Sequence, residues 1–228
     1  MKKFIYLTFL FSFISCSNNI NNQNSSYVFS SDILSSESSF FKESEDNSSY
    51  LENTSNSPST YLKKINIYLN PSVQTHNMYY DNATTEAIMM NKIAQHIYDN
   101  LSQETKFNVY INNDYLSLSK SVKEINSLNI DYHLALHSNA GGGYGSECYH
   151  HNSYDFANLV LNNFLSMNNF SNRGVKNGAH LYELKNSKAK NKILFEILFH
   201  DNKIESEYLQ KNYISIAENI ANSIKSLS

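Results

Sequence analysis

The chain has 228 residues, enough for one ordinary domain with a tail or for two small domains. With 41% hydrophobic residues, 17% charged residues and a formal net charge of -3, it is not a strongly basic nucleic-acid binder. Nor is it a collagen-like or highly charged disordered chain. Two cysteines exclude a disulfide-stapled mini-protein and a thiolate zinc cluster. Arg173 is the sole arginine, so bidentate anion recognition runs through that residue or falls to backbone and lysine.

Met1-Lys2-Lys3 is a short cationic start, and Phe4 to Ile14 is apolar apart from Thr8 and Ser12. That run falls short of the roughly 20 residues a bilayer span needs and has the size of the apolar part of an export signal. Phe13-Ile14-Ser15-Cys16 follows and resembles a bacterial lipoprotein cleavage box, with Phe where Leu is usual. The resemblance implies removal of residues 1–15, lipidation of Cys16 and anchoring of the exported protein on a membrane of the cell envelope. The alternative is a plain secretory signal with Cys16 a bystander. Residues 16–61 are dominated by Ser and Asn and have no apolar period, so they read as a flexible tether.

From residue 62 to 228 the pattern is that of one folded domain. Lys64–Leu69 alternates and is β-branched, which predicts a strand. Glu86–Gln103 carries Ile88, Ile93, Ile97 and Leu101 near one helical face. Phe107–Ile111 reads as a strand, Ser119–Leu128 as a short helix with Ser119 at its N-cap, and Tyr132–Leu136 as a buried strand. Gly141-Gly142-Gly143 is a loop. Glu147–His150 reads as a strand, Tyr154–Met167 as a helix, Leu181–Leu184 and Ile193–Phe199 as strands, and Tyr208–Leu227 as the C-terminal helix. Strands alternating with helices predict an α/β fold around a mostly parallel sheet.

Three clusters carry chemistry, each at a strand end or helix start, where sites assemble in such folds. The turn after the first strand holds His76 and leads through Thr84-Thr85 to Glu86 in the first turn of a helix. The plain structural readings are a surface histidine and an acid that complements the helix dipole, the latter contributing about 0.3–1 kcal/mol. His137 leaves a core strand into small polar residues, a good place for a neutral imidazole to hold a metal. His133, four residues earlier on the same face, reads as a packing histidine. Glu196 is a lone carboxylate within an apolar strand, which is costly unless a cation or a metal-bound water compensates it. His76, Glu86 and His137 can form a two-His, one-Glu zinc site, with Glu196 as the base that takes a proton from water and returns it to a leaving amine.

Several segments, in order, resemble the zinc-dependent N-acetylmuramoyl-L-alanine amidases of amidase family 3. They are Thr84-Thr85-Glu86, Ala135-Leu136-His137-Ser138-Asn139-Ala140-Gly141, Asn172-Arg173-Gly174-Val175-Lys176, Leu181-Tyr182-Glu183-Leu184 and Glu196-Ile197-Leu198-Phe199-His200-Asp201-Asn202. The resemblance implies a six-stranded α/β domain, one zinc ion, and cleavage of the amide between the muramic acid lactyl group and L-alanine in peptidoglycan. It makes Glu86 and His137 ligands and Glu196 the catalytic carboxylate. The first histidine of many members lies in a Gly-His-Gly type turn. Here the turn reads Pro71-Ser72-Val73-Gln74, and His76 stands next in line. Asn139 and Arg173 are candidates for substrate binding, or else a turn-pinning amide and a surface charge. A monomer with no nucleic-acid partner is expected.

Three rival readings follow from the same residues. One is a cysteine hydrolase using Cys148 with His150 or His151, for which a small buried core cysteine is the plainer account. Another is a catalytically inactive binding lipoprotein on the same fold. The third is a different zinc hydrolase of peptidoglycan.

Overall fold

The computed structural model describes residues 63–227. The expectations for the export signal, Cys16 and the tether fall outside the described residues. Within them the chain runs β1 (Ile65–Pro71), α1 (Glu86–Leu101), β2 (Phe107–Ile111), α2 (Leu118–Ser127), β3 (Tyr132–Asn139) and β4 (Ser146–His150). It continues through α3 (Tyr154–Met167), β5 (Asn172–Asn177), α4 (Tyr182–Asn186), β6 (Asn191–Phe199) and α5 (Lys203–Lys225). No described helix is long and apolar enough to cross a membrane.

The strands form one sheet in the order β2-β1-β3-β6-β4-β5. β2, β1, β3 and β6 are mutually parallel, whereas β4 is antiparallel to β6 and β5 is parallel to β4. Chain length explains the change of direction. The crossovers through α1 and α2 are long enough to bring the next strand back in parallel. The six-residue connection 140–145 is too short for that, so β4 must return antiparallel. Because β6 inserts between β3 and β4, this connection arches over the C-terminal end of β6.

Each of the four glycines of the arch is fastened. Asp201 Oδ2 accepts from the backbone N–H groups of Gly141 and Gly142 at 2.7 and 2.8 Å. Asn202 Nδ2 donates to Gly143 O at 3.1 Å, and Glu205 accepts from Gly145 N and Phe199 N at 2.6 and 2.7 Å. Gly143 lies so close over the Phe199 ring that a Cβ there would come within 2.3 Å of it, so only glycine fits without displacing the ring.

The two faces of the sheet are covered unequally. Strand alternation sends Ile67, Leu69, Leu134, Leu136, Ile193, Phe195 and Ile197 to the face packed by α1, α3 and α5, which holds the main core. Phe164 meets Phe195 there edge to face, with centroids 5.5 Å apart. The opposite face has two small clusters, built on Tyr68 and on Ala135 with Leu194, closed by the short helices α2 and α4. His133, His137 and Glu196 share the side-chain parity of this thin face.

The expected α/β class and mostly parallel sheet are present. Phe107–Ile111 and Tyr154–Met167 form the elements their patterns predict. Thr85, one of the two threonines able to cap α1, does so by accepting from Ile88 N at 3.3 Å. Four expectations are corrected. Ser119 does not cap α2, since it lies within the helix and Ser117 holds the N-cap position. Leu181–Leu184 is not a strand, since its last three residues open α4. Asn172–Asn177 is a strand that the pattern does not announce, because an exposed edge strand needs no apolar alternation. Finally, α5 starts at Lys203, five residues before the expected Tyr208, because Asn202 caps it by accepting from Ile204 N and Glu205 N.

Candidate active site

β1, β3 and β6 end together, and α1 begins beside them. The parallel register sets His137 of β3 opposite Glu196 of β6, and the antiparallel pair sets Glu196 opposite Glu147 of β4. Three adjacent strands therefore present imidazole, carboxylate and carboxylate in a row on the thin face. This placement accounts for Glu196 inside its apolar strand. Its neighbours Phe195 and Ile197 enter the main core, while Glu196 turns the other way.

Glu86 is buried, with its side chain directed at His137 rather than left in solvent near the helix dipole. Its Oε1 lies 3.0 Å from His137 Nδ1. Its Oε2 accepts from Asn77 Nδ2 at 2.6 Å, and Ser138 N approaches Oε1 at 3.4 Å. Burial opposes charge on Glu86, but His137, Asn77 and Ser72 together hold its carboxyl below the usual carboxylate range. The other nitrogen of the same ring, His137 Nε2, lies 3.2 Å from Glu183 Oε1. Burial again opposes charge on His137, yet the two carboxylates carry its pKa well above the ordinary histidine value. The imidazole thus bridges two buried acids.

Glu196 has no such partner. Its Oε2 is buried without a hydrogen bond, and burial raises its pKa to about 7, with Glu86, Glu147 and Glu183 adding repulsion and His137 opposing the rise. A carboxylate left in this state is suited to gaining and losing a proton near neutrality.

Glu147, which the sequence marks only as the start of a strand, gathers both candidate substrate residues. Asn139 Nδ2 donates to its Oε1 at 2.9 Å and Arg173 Nε to its Oε2 at 2.7 Å. Tyr149 OH donates at 3.0 Å, and Lys176 Nζ also reaches Oε2. Burial works against its charge, and the lysine, arginine and tyrosine overcome it, so Glu147 is held ionised. The Arg173 guanidinium lies over the Phe199 ring, 4.9 Å from its centroid. With only its Nε engaged by Glu147, it remains about one-third exposed at the rim.

His76 sits in the turn beside Asn77, with its side chain exposed and outside the Glu86–His137 pair. Among the described residues, no three His, Cys, Asp or Glu side chains gather as a metal-holding group. Two donors of the kinds zinc takes, one imidazole and one carboxylate, do meet. A carboxylate oxygen and an imidazole nitrogen lie 3.0 Å apart, in direct contact and closer than the roughly 3.4 Å edge of a tetrahedral site with bonds of about 2.0–2.2 Å, and an unpartnered carboxylate stands across the strand. Glu183 cannot join Glu86 on the same ion through that ring, because it faces the opposite nitrogen.

His133 is fully buried with both ring nitrogens unpartnered, and burial lowers its pKa to about 4, so it is a neutral packing residue beside Tyr68. Cys148 points into the main core, and burial pushes its thiol pKa well up, which removes the thiolate a cysteine hydrolase would need. A mainly apolar cavity of about 170 Å³ opens beside His137 between the β1 turn and Leu116 and Leu118, large enough for a small apolar group.

A buried acid–imidazole pair next to a loosely held carboxylate, at the C-terminal ends of parallel strands, is the layout of a hydrolytic α/β domain. The family model described as N-acetylmuramoyl-L-alanine amidase (amidase family 3) matches residues 73–226, and the chain belongs to that family. Solved structures share the fold. An N-acetylmuramoyl-L-alanine amidase from Clostridium difficile 630 is 20% identical, with a TM-score of 0.66, over 72% of this chain and 96% of that one. The catalytic domain of CwlV, an amidase of Bacillus (Paenibacillus) polymyxa var. colistinus, is also 20% identical, with a TM-score of 0.64, over 71% and 96%. The catalytic domain of the CD27L endolysin targeting Clostridia difficile is 25% identical, with a TM-score of 0.58, over 72% and 97%. No curated protein sequence matches the chain.

Proposed function

We propose that this protein is a zinc-dependent N-acetylmuramoyl-L-alanine amidase acting on peptidoglycan. The observation that carries the proposal is the row His137–Glu196–Glu147 across three strands, with Glu86 against His137 and Glu196 Oε2 unpartnered. Glu86 and His137 would hold the ion, with His76 as third ligand from the turn that Asn77 fastens to Glu86. When bound, zinc supplies Lewis acidity, polarising the lactyl carbonyl and lowering the pKa of water. Glu196 takes the proton of the attacking water and delivers it to the departing alanine nitrogen. Asn139 and Arg173, positioned by Glu147, face the substrate from the rim.

Digestion of purified peptidoglycan tests this reading. The expected products carry new L-alanine amino groups and no new reducing sugar ends. New reducing ends, or cleavage within the stem peptide, would replace it with a different hydrolase. One observation favours a second reading, a catalytically silent wall-binding domain, namely the solvent exposure of His76. Muropeptide binding without zinc and without cleavage would select it.

We further propose, for residues outside the described range, that Cys16 carries lipid and that residues 16–61 form a tether to the cell envelope membrane. A flexible chain of that length has an r.m.s. reach of about 35–40 Å. Cys16→Ala is expected to move the protein from the membrane to the soluble fraction, and continued acylation of that variant would reveal another anchor.

A further inference from the structure

Glu183 has no part in the reaction described above, yet it is buried among fixed polar partners. It lies in the first turn of α4, nearly fully buried. Its Oε1 is 3.2 Å from His137 Nε2. Its Oε2 accepts from Asn70 Nδ2 at 2.8 Å and lies 3.7 Å from His133 Nε2. Asn70 is itself fixed, since its Oδ1 accepts from Asn112 Nδ2 at 3.1 Å and Asn112 Oδ1 accepts from Leu116 N at 2.9 Å. Below, Leu184 packs on Ala135 and Leu194, so α4 is seated on the strands that carry His137 and Glu196.

The two nitrogens of His137 thus have separate assignments. Nδ1 faces Glu86 and the proposed ion, while Nε2 faces a carboxylate that Asn70 and the seat of Leu184 hold in place. We propose that Glu183 is a positioning residue. It keeps the proton of His137 on Nε2 and so leaves the Nδ1 lone pair aimed at the metal. This inference rests on the zinc-amidase reading. Its physical basis is that a metal-bound imidazole needs its second N–H held, which fixes the tautomer, orients the ring and strengthens the donor nitrogen.

Two measurements test it. Zinc affinity of full-length wild type, Glu183→Leu and Glu183→Gln is measured by competition with a chromogenic chelator, and circular dichroism of the metal-free proteins reports folding. Glu183→Leu is expected to bind zinc about 10- to 100-fold more weakly. Glu183→Gln keeps an acceptor oxygen for Nε2–H and should recover most of that loss. Wild-type affinity in Glu183→Leu would overturn the inference while leaving the amidase reading intact. A wild type that binds no zinc and cleaves no peptidoglycan would instead remove the reading beneath it. Should the leucine variant fail to fold, nitrogen-15 shifts of His137 in the zinc-loaded wild type decide the matter. Metal on Nδ1 with a proton on Nε2 is expected, and the reverse would overturn the proposal.

Discussion

Glu196→Gln is expected to lower kcat for muropeptide hydrolysis by about 10²- to 10⁴-fold, the range attributed to a positioned general base, while zinc content stays at the wild-type level. The size follows from the setting of the side chain. Its Oε2 has no hydrogen-bond partner to satisfy, so the carboxylate is free to take a proton from water and pass it on. Glutamine keeps the shape and loses the exchangeable proton. Full residual activity in this variant would sink the assignment.

The same substitution carries a stability signature of opposite sign. In the metal-free protein Glu196 titrates near 7, against 4.5 when unfolded, so the folded state holds its proton more tightly. As pH rises from 4.5 through 7, the native state must give up that proton, and stability falls by up to about 3 kcal/mol. Glutamine removes this loss. Metal-free Glu196→Gln should therefore melt above wild type at pH 8 and near it at pH 4.5. Coincident melting curves at both pH values would show that the carboxylate is not strained by its burial.

His137→Ala carries the second large effect. It should abolish zinc binding and hydrolysis together, because the ring is the proposed donor that shares the ion with Glu86. It should also lower metal-free stability by about 3–5 kcal/mol, since the imidazolium stands between two buried carboxylates, and its removal leaves both unpaired. Retention of one zinc per chain would exclude His137 from the ligand set. His76→Ala, measured beside it, should weaken zinc binding without the stability loss, because that side chain is exposed. Unchanged affinity there would remove His76 from the ligand set, leave two ligands and weaken the zinc reading.

The elements with a strong period were legible in the sequence. Phe107–Ile111 and Tyr154–Met167 are read at the same limits that β2 and α3 have. What escaped was whatever lacks a period of its own. β5 is an exposed edge, shaped by pairing with β4 rather than by burial. Leu181–Leu184 is four residues long, too short to separate a period of 2 from one of 3.6, and the surrounding chain turns it into a helix. Within the site, Glu196 was conspicuous because a carboxylate breaks an apolar run, and Glu86 and His137 because each stands at an element boundary. Glu183 and Glu147 acquire meaning only through neighbours 46 and 26 residues away, His137 and Arg173, which no local pattern encodes. A cue for Glu183 did exist, since an acid flanked by Tyr and Leu is an unusual occupant of an apolar tetrad. His76 marks a limit of another kind, because the spacing of a turn does not state how far its side chains are buried.

The lopsided sheet separates two demands that compete in many hydrolases. Folding free energy is concentrated on the side away from the substrate, where α1, α3 and α5 close over the large aromatic and aliphatic residues. The cutting side is a light veneer of short helices and turns. Rim positions such as Val73 and Leu118, which line the small cavity beside His137, can therefore be rewritten while the fold keeps its footing on the other side.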